Sequence, residues 1–247
     1  TLILAAIFFA FQIYGDFSGY SDIAIGTAKL FGFQLMTNFK VPYFSRNIAE
    51  FWRRWHISLS SWFQDYLYIP IGGSRGTKAK TIRNIFIIFL VSGFWHGANW
   101  TFLFWGGINA FLFLPILLVG KNRKYLGTVA EERLLPSLKE VYQMLLTFGF
   151  TTIAWIFFRA NSITEGFDFI KLIGEQKFGF PAFKGQAVIV PLIGVLIIIE
   201  WINRTKSHQL DIERFSPFIR HSLYIFLLGL IFFFGQYNKA SFIYFQF

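Results

Sequence analysis

The sequence predicts an all-α, polytopic integral membrane protein, and three observations carry that prediction. Of 247 residues, 55% are hydrophobic, 21% aromatic and only 15% charged, with a mean hydropathy of +0.50, whereas an ordinary soluble domain is roughly a quarter charged. The apolar residues come in blocks: no Asp, Glu, Lys or Arg occurs from Asn84 to Gly120, Val141 to Phe158, Gly185 to Ile199 or His221 to Asn238. About 20 such residues cross a bilayer as a helix, so the first block has room for two spans and each of the others for about one. Finally, the Lys and Arg residues sit in the short loops between blocks, where positive charge sets topology. The net charge of +10 is therefore read as orientation rather than nucleic-acid binding. The absence of cysteine excludes disulfides and cysteine-based metal or redox chemistry.

Each element follows in order. Leu2 to Tyr14 reads as the end of a span, Gly15 to Asp22 as a polar turn, and the residues to about Phe33 as a short apolar helix. The start at Thr1, without an initiator Met, a charged leader or a small-residue cleavage site, excludes a signal peptide and leads us to expect that further helices precede it. Pro42 marks a break. Asn47 to Glu50 has the form of a capping box, Asn47 accepting exposed amides and Glu50 reaching back. In the helix that follows, Ile48, Trp52, Trp55, Leu59, Trp62 and Tyr66 recur every three or four residues as one aromatic stripe, with Glu50, Arg54, Ser61 and Asp65 on another side. Pro70 and Gly72-Gly73 end it. Such a helix is too charged for hydrocarbon, and its Trp and Tyr suit the headgroup level, so it is expected to be interfacial or re-entrant.

The uncharged block from Asn84 to Gly120 is interrupted by His96-Gly97-Ala98-Asn99 and reads as a helical hairpin. The flanking loops, Gly72 to Arg83 and Gly120 to Glu140, then share one side, and their Lys and Arg place it in the cytoplasm. Continuing the alternation, Val141 to Phe158 crosses outward, Arg159 to Lys184 is an outer segment, Gly185 to Trp201 returns, Asn203 to Arg220 is cytoplasmic and His221 to Tyr237 exits.

Within this apolar background the polar side chains stand out. His96 is an ionisable group in a membrane block, where such groups are costly and face a cavity or a partner; Gly93 and Gly97 beside it allow close approach of a backbone or a substrate. Either it binds a neighbouring helix or it works chemically, since an imidazole with an ordinary pKa of about 6.5 can take a proton from a hydroxyl. Helical spacing puts His56 beside Arg53 and Ser60. The arginines of this segment meet either lipid phosphates or an anionic acyl carrier, which their planar forks suit. Ser18 or Asp16 is a candidate cap of the following helix, and the alternative for Asp16 and Asp22 is to orient a histidine or line a polar passage; Asn99 and Asn109 are candidate interhelical hydrogen-bonding groups. His208 and His221 read as solvated or interfacial. The histidine and carboxylate spacing matches no metal site, and no phosphate loop or nucleophile elbow is present.

Several segments resemble the membrane-bound O-acyltransferases. They are Tyr14-Gly15-Asp16-Phe17-Ser18-Gly19-Tyr20-Ser21-Asp22-Ile23-Ala24-Ile25-Gly26, Asn38-Phe39 with Pro42-Tyr43, Phe51-Trp52-Arg53-Arg54-Trp55-His56-Ile57-Ser58-Leu59-Ser60, Asp65 to Gly73, Gly93-Phe94-Trp95-His96-Gly97-Ala98-Asn99-Trp100, Trp155 to Ala160, and the closing Phe242 to Phe247. The likeness runs in order over nearly the whole chain and is strongest to the bacterial branch that O-acetylates alginate or peptidoglycan. It implies that residues 1–247 form the C-terminal part of one transmembrane domain whose helices surround a passage. It also implies that His96 matches the family's catalytic histidine and His56 its second histidine, near the cytoplasmic end.

The expected function is therefore an acetyltransferase of the bacterial inner membrane. It takes an acetyl group from a cytoplasmic thioester, acetyl-CoA or an acyl carrier, toward hydroxyls of a surface polysaccharide. No bound cofactor is expected. His96 acts as general base, or through a covalent acyl-histidine; His56, Arg53, Arg54, Trp52 and Trp55 position the donor, with Asp16, Asp22 and Asn99 as polar support. A separate periplasmic O-acetyltransferase is the implied partner, with membrane lipids around the bundle. The competing class is a transporter or channel in which Gly97-Ala98-Asn99 breaks a helix and the histidine lies on the solute path.

Overall fold

The computed structural model describes residues 2–176 and 189–235, and all regular structure among them is helical. The first helix, α1, runs unbroken from Leu2–Leu30, which corrects the expected turn at Gly15 to Asp22. No proline interrupts the stretch, so its backbone bonds continue, and Asp16, Gly19, Tyr20 and Asp22 lie exposed while Ile13, Tyr14 and Ser21 are buried. The exposed members of the polar cluster thus share one face of a helix, and neither Asp16 nor Ser18 caps anything; Ser18 lies mid-helix, its hydroxyl 3.5 Å from the Gly15 carbonyl.

An irregular segment and a 3₁₀ turn, Pro42–Phe44, lead to α2, Ile48–Arg54. Asn47 caps α2 by accepting from the Glu50 amide, as expected, but Glu50 reaches back to the Arg46 amide at 2.7 Å rather than to that of Asn47. The expected continuous helix to Tyr66 is also broken. Trp55 is extended, His56 is left-handed with φ 45° and ψ 55°, and α3 begins at Ile57, spanning Ile57–Phe63 before one π-helical turn, Gln64–Tyr68. The single aromatic stripe is consequently split: Ile48 and Trp55 are buried, whereas Trp62 and Tyr66 are exposed.

The helical hairpin forms as expected from α4, Lys78–His96, and α5, Trp100–Leu118. The helices touch along their length through two glycines. A Cβ on Gly93 would run into the Phe102 carbonyl of α5, and one on Gly106 into the Phe89 carbonyl of α4, the close backbone approach that small residues permit between membrane helices. Gly106→Val is expected to cost about 1–3 kcal/mol by forcing the backbones apart. The adjacent Gly107→Ala, whose Cβ would meet nothing within 4 Å, should be neutral or stabilise slightly. Unfolding of the two variants of the full-length protein in denaturing detergent checks this contrast, and equal stabilities would contradict it.

Ser137 and Glu140 form a complete capping box on α6, Leu138–Arg159. It is followed by α7 (Ile163–Glu175), α8 (Ile189–Ile202) and α9 (Pro217–Phe234). Among the described residues, four helices, α1, α5, α6 and α9, are long and apolar enough to cross a bilayer. The first arm of the hairpin, α4, is not among them, because its opening turns carry Lys78, Lys80, Arg83 and Asn84; the expectation of two full spans in the block from Asn84 is met by one. The return span expected from Gly185 is described only from Ile189, and the aromatic end Phe242 to Phe247 lies outside the described residues. The core is aromatic. Tyr14 of α1, Phe51 and Trp55 around α2, Trp105 of α5 and Trp155 and Phe158 of α6 form one buried cluster, while α9 buries no residue and presents apolar side chains outward.

Candidate functional site

The two sequence-selected histidines come together. His56 and His96 line one cavity of about 150 Å³, walled by Trp52, Trp55, Trp105 and Trp155 and carrying Ser60 and Ser92 as its other polar side chains. From α4 the cavity takes Ile85, Ile88, Phe89, Ser92 and His96. Their spacing of three and four residues is one helix face, and from first to last it spans about 16 Å at 1.5 Å per residue. The cavity thus extends along α4 from near its basic start to the hairpin turn.

Local structure explains how each histidine arrives there. His96 ends α4 and its ring sits edge-on to Trp95, Trp105 and Phe158, with centroids 5.0, 5.3 and 5.0 Å away. Asn99, next in the turn, caps α5 by accepting from the Thr101 amide at 3.1 Å and donates to the Asn161 carbonyl at 3.3 Å; it fixes the turn and the start of α7 rather than lining the cavity. His56 sits in the break between α2 and α3, buried, edge-on to Phe17 at 4.6 Å and 6.3 Å from the Trp95 ring. Left-handed geometry in a side chain with a Cβ costs on the order of 1–2 kcal/mol and persists where surrounding structure imposes it. Trp52 is oriented by its indole N–H, which donates to Asn109 of α5 at 3.2 Å, while the Asn109 amide donates to the Trp105 carbonyl at 2.8 Å; Asn109 is the interhelical group expected. The indole N–H of Trp155 is buried without an acceptor among the described residues.

The arginines lie elsewhere. Arg53 donates to the carbonyls of Asn122 and Tyr125 at 2.8 and 2.9 Å. Arg54 and Arg46 both bind Glu50 at 2.9 Å and the Gly127 carbonyl at 3.0 and 2.8 Å. These three cations clamp the loop after α5 onto α2, and neither Arg53 nor Arg54 contributes to the cavity wall. Burial and the neighbouring cations hold the Arg53 guanidinium below its ordinary pKa, burial being the larger effect, with Glu50 opposing. Asp16 is exposed. Asp22 meets a histidine, but it is His208, 3.3 Å away; the hydrogen bond to Asp22 raises the His208 pKa.

One group escaped the sequence reading. Glu200, in the otherwise apolar α8, is buried and accepts a hydrogen bond from the Tyr14 hydroxyl across 186 positions of chain. It lines a second cavity of about 130 Å³ with Ser21, Asp22, Asn38 and His208. The signal was available, since a lone carboxyl in a membrane block is costly, but it lies one position beyond the uncharged run ending at Ile199.

Comparison with known proteins places the chain. A family model described as MBOAT, membrane-bound O-acyltransferase family, matches residues 1–158, a stretch that holds both histidines, the hairpin and Trp155. A probable alginate O-acetylase of Pseudomonas aeruginosa is 47% identical over 65% of this chain and 29% of its own length. A peptidoglycan O-acetyltransferase of Helicobacter pylori is 31% identical over 99% of this chain and 49% of its own. A teichoic acid D-alanyltransferase of Bacillus subtilis is 31% identical over 61% of this chain and 39% of its own. The chain therefore spans half or less of the length of these relatives.

Proposed function

Because the chain belongs to the membrane-bound O-acyltransferase family, we propose that it is the histidine-bearing part of an enzyme that transfers an acetyl group from a thioester to a hydroxyl, for O-acetylation of a cell-surface polysaccharide. The observation that carries this reading is the single apolar cavity that His56 and His96 share along α4. Its Trp and Phe walls fit an acyl chain and exclude water, which strengthens polar interactions inside. The relatives are named for alginate, peptidoglycan and teichoic acid, and the first two support acetyl as the group and alginate or peptidoglycan as the acceptor class.

The chemistry follows from a neutral imidazole. A His96 ring nitrogen accepts the proton of the acceptor hydroxyl as that oxygen bonds to the thioester carbonyl carbon. The tetrahedral adduct then collapses, the carbon–sulfur bond breaks, and the departing thiolate takes the proton back from the imidazolium. The histidine ends as it began, and an oxygen ester and a thiol are formed. His56 and Trp52 stand where a donor or intermediate passes, and Arg53 and Arg54, through the loop they clamp, shape the end at which it enters.

The basic loops before α4 and after α5 support a cytoplasmic position for that end, and with it a donor such as acetyl-CoA or an acyl carrier drawn from the cytoplasm of a bacterium across its inner membrane. An acetyl group emerging at the hairpin turn would pass to a separate periplasmic O-acetyltransferase. To test the reading, the full-length protein is placed in liposomes with labelled acetyl thioester and a polysaccharide or hydroxyl acceptor. Protein-dependent appearance of label in ester linkage is expected. Proton or solute flux with no consumption of thioester would overturn the reading in favour of a transporter.

A further inference from the structure

We propose that Asn38 is a positioning residue for His56: acting through Ser58, it holds the imidazole with its proton on Nδ1 and leaves Nε2 as the basic nitrogen. The inference rests on the reading above that His56 serves acyl transfer, and it concerns a residue that lies outside the cavity.

The argument starts from the backbone. The left-handed His56 is bracketed by two main-chain hydrogen bonds from the irregular segment before Pro42: the Lys40 amide donates to the Arg54 carbonyl, and the Ile57 amide donates to the Asn38 carbonyl, both at 3.0 Å. These take up the Arg54 oxygen and the Ile57 N–H, which an unbroken helix would have used itself. A second non-glycine residue of this segment, Val41, is also left-handed, with φ 43°. Two such residues at the two ends of one bracket are the pattern of strain held in place by its surroundings.

The Asn38 side chain then reaches the imidazole. Its oxygen lies 3.2 Å from the Ser58 amide and 2.5 Å from the Ser58 hydroxyl. A backbone N–H only donates, so the Asn38 atom facing it is the oxygen, and the amide nitrogen donates to Ser21 of α1 at 3.1 Å. The Ser58 hydroxyl has one hydrogen, and Asn38 receives it. Toward His56 Nδ1, 3.5 Å away, Ser58 therefore presents lone pairs, which attract a protonated Nδ1 and repel an unprotonated one. A neutral imidazole protonated on Nδ1 carries its free lone pair on Nε2, the tautomer being set by the bond the other nitrogen makes.

The test is a double-mutant cycle in the full-length protein, reading ester-linked acetate per unit of membrane-inserted protein. Asn38→Ala is expected to lower transfer by about tenfold or more, as small misplacements of catalytic groups do. Asn38→Asp, which keeps the acceptor for Ser58, should recover most of the loss. The Asn38→Ala, His56→Ala pair should be no worse than His56→Ala alone, because groups acting as one unit are not additive. Ser58→Ala, which keeps the Ser58 amide on Asn38, should also reduce transfer and covers the case in which Asn38→Ala fails to insert. Wild-type activity in Asn38→Ala or Ser58→Ala, no recovery with Asp, or multiplied losses in the pair would each overturn the proposal while leaving the role of His56 intact. Wild-type activity in His56→Ala would overturn that role and this inference with it.

Discussion

Replacing His96 by alanine in the full-length protein is expected to lower acyl transfer by about 10²–10⁴-fold, the range that a positioned general base supplies, while the protein still inserts. Each tenfold corresponds to about 1.4 kcal/mol of barrier. Because the ring packs against Trp95, Trp105 and Phe158, alanine also opens a gap, and His96→Phe separates the two effects by filling the space with a ring that has no basic nitrogen. Both variants should be equally inactive at normal expression. A base must be unprotonated to act, so transfer by the wild type should fall as pH drops through the pKa of this imidazole, and residual transfer by the variants should lack that limb. Ester levels near wild type in His96→Phe would remove His96 from the chemistry.

Glu50→Ala is expected to be the most damaging change to stability, by about 3–5 kcal/mol. The side chain is 1% exposed and accepts from Arg46 and Arg54, themselves about 10% exposed. Removing the shared carboxylate leaves the buried Arg54 guanidinium without the carboxylate it binds and Arg46 with Glu140, 3.8 Å away, as its remaining one, and breaking a buried ion pair in this way is costly. The loss extends further, because the same arginines hold the Gly127 carbonyl and through it the loop after α5. Glu50→Gln keeps an acceptor oxygen and should fall between. Denaturing-detergent midpoints and the yield of inserted protein measure the series; a Glu50→Ala variant as stable as wild type would show that the cluster contributes little.

Much of the architecture was legible because it depends on local composition. The uncharged run from Asn84 with His96-Gly97-Ala98-Asn99 at its centre could only fold back on itself, and Gly93 signalled the close approach that the Phe102 backbone makes. His96 stood out through its isolation in apolar sequence, and Asn109 through its polarity. The misread places share one cause. Gly15 to Asp22 has the composition of a turn, yet it stays helical because Asp16, Gly19, Tyr20 and Asp22 share an exposed face while the buried Ser21 accepts from Asn38. The run from Ile48 to Tyr66 has the period of one helix, yet it breaks at His56 because Asn38 and Lys40 take its backbone bonds. Glu50 read as a capping-box acid on the polar side of its helix, and only the packing of Arg46, Arg54 and the loop at Gly127 around it makes it a buried ion-pair centre.

The sequence by itself determined that this is a helical membrane protein, where its apolar helices lie, and which two histidines to examine, since hydrophobic blocks, loop charge and residue period are properties of neighbouring positions. Only the tertiary structure decided that His56 and His96 share a cavity, that Arg53 and Arg54 hold a loop instead of lining that cavity, and that Glu200 meets Tyr14. Each of these depends on hydrogen bonds and packing between segments tens to nearly two hundred residues apart, and no local pattern encodes which distant partner a side chain will find.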